Sequence, residues 1–293
     1  MLLHNTSTES SSHSTRAGGR RARPGLRVGL AAAALALGLG GGRASADDGD
    51  QDRDTDGDHG GTADHARARD VLLVHGAWAD GSSWSDVIVR LQRDGYTVRA
   101  VQLPLQSLAG DAAVVRAEID RIGRPVVVAG HSYGGAVIGE AAAGAPNVVG
   151  LVYAAAYALH DGESLGALNA RFAATPILQA LVFDAQGSAT IEPEAFARLF
   201  APDLPGRQAR VLAAVQKPIS GAIFGTPAGH PAWREVPSWY QVSRDDQVIN
   251  PELQRFVAAR MGARVVELAS SHASLLSHPR AIAELIEQAS RGR

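Results

Sequence analysis

The chain predicts an α/β fold, a mainly parallel sheet flanked by helices, and three observations carry that prediction. Short continuous apolar runs at Asp70–Val74, 126–129 and Val148–Ala154 have the length and composition of strands buried on both faces. Helical patterns with one apolar stripe fall between these runs, so strand and helix alternate. The alternation stops near Ala155 and resumes near Val236, leaving an insertion of about eighty residues. Such alternation implies parallel strands joined by right-handed crossovers, with ligands bound at the carboxyl ends of the strands.

Taken in order, the run Asp70–Val74 reads as the first strand and ends in His75-Gly76-Ala77-Trp78. Trp84, Val87, Ile88 and Leu91 then fall at 0, 3, 4 and 7, an amphipathic helix ended by Gly95. A strand at 97–101 follows. Leu108, Ala112, Val115, Ile119 and Ile122 mark a second helix, stopped by Gly123 and Pro125. The strand at 126–129 runs into Gly130-His131-Ser132-Tyr133-Gly134-Gly135 and a helix over 134–143, and Val148–Ala154 is the next strand. The insertion shows helical patterns at 165–172, 192–200 and 208–215, broken by Pro and Gly, and is expected to form a helical lid over 155–236. Beyond it come a strand at 238–242, a helix at 251–261, a strand at 263–268 and a last helix with Pro279 in its first turn.

Composition narrows the function classes. The 293 residues include no cysteine, which excludes disulfides, thiolate metal sites and a cysteine nucleophile. The formal charge of −2 conceals a split. The first 46 residues hold six Arg and one Glu, so of 28 basic and 30 acidic residues the remainder keeps 22 and 29, net −7. A body that acidic is a poor partner for nucleic acid or an anionic membrane. Lys217 is the only lysine.

Residues 1–46 have the three parts of an export leader: a basic region with Arg20-Arg21, an apolar Gly/Ala-rich run from Val28 to Gly42, and Ala44-Ser45-Ala46 as a small-residue cleavage signal. The apolar run is about 15 residues, short of the roughly 20 that span a bilayer, so no stable membrane anchor is expected. The general secretory and twin-arginine routes both stay open. Residues 47–69 read as a disordered acidic linker with seven Asp by residue 58. Within it Asp52-x-Asp54-x-Asp56-Gly57 opens like a calcium loop, but its twelfth position is Ala63 rather than an acid. The domain proper is expected over 70–293.

The chemistry centres on the Gly-x-Ser-x-Gly turn. A serine placed between a buried strand and a helix presents its hydroxyl at the top of the sheet, where a base can reach it. Ser132 is therefore the expected nucleophile. The base is expected downstream, where His230, His272 and His278 are the choices; His272 follows the last strand and is preferred, with His278 read as a cap of the last helix or an exposed residue and His230 as lid surface. The acid that orients it is expected after the 238–242 strand, at Asp246, with Asp245 and Asp161 as alternatives. The backbone N–H groups of Tyr133 and Ala77 are the expected oxyanion donors. Gly76 lets its loop approach a substrate, Trp78 lines the pocket or packs the loop, and Trp84 belongs to the core. Phe172, Leu178, Leu181, Phe183, Phe200 and Phe224 could line the pocket, though packing is expected for most.

These stretches, together with Gly81-Ser82-Ser83-Trp84, Asp161-Gly162-Glu163-Ser164, Asp245-Asp246-Gln247, Pro251-Glu252-Leu253-Gln254 and Ser271-His272-Ala273, make the chain resemble the α/β-hydrolase superfamily. Within it the resemblance is to a compact branch of plant methyl-ester esterases, hydroxynitrile lyases and bacterial esterases. It covers 70–293 and implies the α/β-hydrolase fold with a Ser132, Asp246, His272 triad, no cofactor and no metal. Lyases of that branch carry Thr at the position of Gly76 and Lys after the catalytic histidine, where this chain has Ala273. The resemblance thus implies hydrolysis of a small-molecule carboxylic ester by a serine esterase, with lyase or perhydrolase chemistry as the alternative and a silent binding protein as a further one. Oligomeric state is left open.

Overall fold

The structure, a computed structural model, describes residues 68–292. The expected export leader, the calcium-like pattern and nearly all of the acidic linker lie outside those residues. Six strands form one parallel sheet: β1 (Asp70–Val74), β2 (Thr97–Ala100), β3 (Val126–His131), β4 (Val148–Ala154), β8 (Ser238–Ser243) and β9 (Arg264–Leu268), in the order β2-β1-β3-β4-β8-β9. The insertion supplies three short antiparallel strands, β5 (Leu181–Phe183), β6 (Ser188–Ile191) and β7 (Ile219–Ser220).

The apolar runs are continuous because each strand feeds two cores. Val71 and Leu73 of β1 join Val127 and Ala129 of β3 under α1 (Ser85–Arg93) and α9 (Pro279–Ser290), where Trp84, Leu91, Ile282 and Ile286 pack. Leu72, Val74, Val126 and Val128 face the other way, onto α2 (Leu108–Ile122) and α3 (Tyr133–Ala141). Side chains alternate across a strand, so burial on both faces leaves no room for polar alternation. Gly123 closes α2 at φ +60° and Pro279 opens α9, as expected. Two caps add to these: Ser107 Oγ accepts from Gly110 N–H at the start of α2, and Asn250 caps α7 (Pro251–Arg260).

The insertion carries helices as expected, and a small sheet that the sequence reading did not include. It holds α4 (Leu165–Asn169), α5 (Pro193–Ala195) and α6 (Gly206–Val215), but also the β5–β7 sheet, and the stretch after α5 is a single wide turn over Phe196–Phe200. There the Ala201 N–H reaches back five residues to the Phe196 carbonyl, at 3.3 Å. A four-residue helix, α8 (Ser274–Ser277), also follows the histidine loop unannounced by the periodicity. Among the described residues no helix is long and apolar enough to cross a membrane.

The chain lays down β1, then β2 on one side, then β3 on the other. The strand order reverses between β1 and β3, and a crevice opens at such a point beyond the carboxyl ends of the strands. The loops leaving those two ends carry His75-Gly76-Ala77-Trp78 and Ser132.

Candidate active site

Ser132 is the single residue between β3 and α3, at φ 54° and ψ −124°. A side chain in that region of backbone space costs on the order of 1–3 kcal/mol and persists only where the surroundings enforce it. They do so here. The Ser132 N–H donates to the Ala154 carbonyl at 3.2 Å, while its own carbonyl accepts from Gly135 N–H at 3.0 Å and Tyr157 N–H at 3.1 Å. A Cβ on Gly134 would stand 2.6 Å from the Val74 carbonyl oxygen, so only glycine lets α3 start this close to β1.

Those bonds also aim the peptide groups. The carbonyl and N–H of one trans peptide point in opposite directions. With the Ser132 carbonyl held toward Gly135 and Tyr157, the Tyr133 N–H faces the other way. The Gly76–Ala77 peptide is set by His75. Leu103 N–H donates to His75 Nε2 at 2.9 Å, so that nitrogen is bare and the proton sits on Nδ1, which donates to the Gly76 carbonyl at 2.8 Å. Ala77 N–H is thereby turned from Gly76 O. Neither N–H is taken up by the backbone bonds of the surrounding turns. Burial of His75 lowers its pKa below the ordinary 6.5, in keeping with a neutral ring.

The structure brings His272 and Asp246 together. His272 Nδ1 donates to Asp246 Oδ2 at 2.7 Å, both side chains being fully buried. The rest of the Asp246 carboxylate is saturated: Oδ1 accepts from Val248 N–H at 2.7 Å and Ile249 N–H at 3.0 Å, and Oδ2 from Gln254 Nε2 at 2.8 Å. Gln254 is fixed in turn by Ser243 N–H, which donates to its Oε1 at 2.9 Å. His272 Nε2 is buried and has no partner, so its bond to Ser132 Oγ is not formed in this structure. Catalytic hydrogen bonds are often open before substrate arrives.

The alternatives lie elsewhere. Asp245 is exposed. Asp161 is on the surface, 3.6 Å from His230 and 3.7 Å from Arg234. His230 is surface as expected, and His278 stands at the N-cap position of α9, where its carbonyl accepts from Ile282 N–H at 3.3 Å while its ring meets Ser277 Oγ at 2.9 Å. Ala273, directly after His272, is fully buried. Lys217 gives its ammonium to the Leu103 carbonyl.

Two cavities flank Trp78. One is lined by Ser132, Ala77, Tyr133, Tyr157 and apolar residues of the insertion, including Leu181 and Phe224. The other lies against His131 and Ala273 and is walled by Phe196, Phe200 and Leu212. Trp78 itself is at φ 59°, its indole N–H donating to the Ala189 carbonyl of β6 at 3.0 Å. Of the six insertion residues expected mostly to pack, Leu178, Leu181, Phe200 and Phe224 also line these cavities. Phe172 packs on Phe256, and Phe183 is exposed. Trp84 is core. Residue reasoning missed three supports: Asp203, whose carboxylate binds Ser271; His131 as a brace; and Gln254 as the prop of Asp246. His131 and Gln254 stood in quoted motifs without a role assigned to them, and Asp203 stood in none.

Fold and turn together define the class, a hydrolase on a parallel-sheet scaffold. A sequence model described as the alpha/beta hydrolase family matches residues 71–285, and the chain belongs to that family. It is 29% identical over 256 residues to an alpha/beta hydrolase of Aspergillus novofumigatus, covering 75% of this chain and 95% of that one. It is 27% identical over 243 residues to a pyrethroid hydrolase of Sphingobium wenxiniae, covering 74% and 86%. A polyneuridine aldehyde esterase structure, 20% identical, shares the fold with a TM-score of 0.66 over 75% of this chain and 98% of that one.

Proposed function

We propose that the protein is a serine carboxylic-ester hydrolase. Ser132 attacks the ester carbonyl while His272 Nε2 takes its proton. Asp246 holds the tautomer and offsets the imidazolium charge. Ala77 and Tyr133 N–H groups receive the oxyanion, donors of a kind that contribute about 10²–10³ in rate each. The imidazolium then protonates the leaving alcohol, and water repeats the sequence on the acyl-serine. The observation that carries this reading is His272 itself: one nitrogen is committed to a saturated carboxylate and the other is buried and bare.

Among the described residues no charged side chain lines the Ser132 cavity, which supports a neutral ester with an apolar acyl part. The pyrethroid hydrolase relative supports an ester as well. Ala273 provides no positive charge beside His272 for a cyanide leaving group, which disfavours the lyase alternative. The test is hydrolysis of a short p-nitrophenyl ester together with fluorophosphonate labelling read by mass spectrometry. Wild type turns over and is labelled at Ser132, and Ser132→Ala loses both; a folded Ser132→Ala that keeps turnover overturns the mechanism. We further propose that residues 1–46 direct export of the enzyme.

A further inference from the structure

Resting on that reading, we propose that residues 196–203 of the insertion clamp the His272 loop, with Asp203 and Phe200 as positioning residues for proton transfer. Asp203 Oδ2 accepts from Ser271 N–H at 2.8 Å, and Asp203 Oδ1 accepts from Ser271 Oγ at 2.5 Å. Ser271 Oγ in turn accepts from Ala273 N–H at 3.1 Å. One carboxylate, 68 residues away in the chain, thus fixes the residues on both sides of His272. Phe200 meets the His272 ring edge-on, with centroids 4.8 Å apart and an interplanar angle of 82°, and is itself stacked on Phe196 at 4.5 Å.

Both grips come from one short stretch, with Phe200 in the wide turn and Asp203 three residues beyond it. The turn's five-residue hydrogen bond adds one residue to the helical turn that follows α5, and such bulges re-aim what comes after them. Across the loop, His131 braces His272 from the other side, its Nε2–H donating to the His272 carbonyl at 2.9 Å. These grips matter because Nε2 has no partner of its own. With that nitrogen free, the approach of the ring to Ser132 is set by Asp246 at Nδ1 and by the loop and ring contacts. A misplacement of about 1 Å at a reacting group costs on the order of a hundredfold in rate.

The test compares Asp203→Ala, Asp203→Asn and Ser271→Ala with wild type, on ester kinetics and on the low-field proton resonance of His272 Nδ1–H, assigned by its loss in His272→Gln. The clamp predicts a kcat lowered by roughly 10- to 100-fold in Asp203→Ala with KM within about threefold, and a broadened resonance. Asp203→Asn, which keeps one acceptor oxygen, recovers part of both. Ser271→Ala has a smaller effect that does not add to that of Asp203→Ala. A folded Asp203→Ala with wild-type kcat and a sharp resonance overturns the proposal, as does a loss confined to KM. If Asp203→Ala does not fold, Asp203→Asn and Phe200→Leu are read by the same criteria. If wild type hydrolyses no ester, the functional reading fails, and the resonance alone decides the clamp.

Discussion

Two buried histidines stand beside the Ser132 turn in opposite tautomers. His75 accepts from Leu103 and carries its proton on Nδ1; His131 donates from Nε2 and leaves Nδ1 bare and buried. Burial lowers the pKa of both, and the neighbouring His272 depresses that of His131 further. Because their folded-state values lie below the ordinary 6.5, the unfolded chain binds more protons than the folded one once the pH drops under that value. Their contribution to stability is therefore present above about pH 6.5 and is lost as the pH falls from there through the lower folded-state values. We expect urea-unfolding free energies to decline from pH 7 to pH 5, and His75→Gln to make that decline shallower. An unchanged slope in His75→Gln would contradict a neutral His75. The same scale explains what the sequence left open. Asp245 and Asp246 are adjacent turn residues of one type, and only the folded turn exposes the first and buries the second among four donors.

At the scale of elements, the parallel body was legible because burial on both faces makes its strands continuous apolar runs. Val126, Val127 and Val128 could hardly be anything else. The edge strand β9 was readable despite its exposed Arg264 and Glu267, because it closes a strand–helix alternation already established. The insertion was not. Its strands are two to four residues long, too short for a period to register, and they are stable only as a set packed on the body. The Asp203–Ser271 contact had no sequence signal beyond a doubled serine before His272, since both residues are common in turns. The insertion nevertheless supplies most of the Ser132 cavity wall. Leu181→Trp, which fills that cavity, is expected to lower kcat/KM for long-chain p-nitrophenyl esters by about tenfold while sparing the acetate, the scale of discrimination that apolar pocket volume provides. Equal losses on both esters would assign Leu181 to packing alone.

Over the whole molecule, charge separates along the sequence. The basic residues of the first 46 positions offset an excess of seven acidic ones in the remainder, so removal of that segment changes how the protein meets its surroundings. If the segment is an export leader, the protein recovered outside the producing cell starts at Asp47, as intact mass will report, and full-length chain in that fraction would refute the assignment. The three groups of the proposed triad come from distant places but converge on one end of one sheet: Ser132 after β3, Asp246 after β8, His272 after β9.

Where the insertion leaves and rejoins the sheet has a consequence for how this enzyme can change. It departs after Ala154 at the end of β4 and returns at Ser238, which pairs with Leu151 on the neighbouring strand. Departure and return are thus three residues and one strand spacing apart, roughly 11 Å. The entropy of closing an excursion rises only with the logarithm of its length. A longer, shorter or unrelated segment can span that gap without disturbing the register of β4 against β8, so pocket shape can evolve as an exchangeable module. The exchange has one condition: whatever replaces the segment must bring its own carboxylate to Ser271, or leave the histidine loop to be held by the body alone.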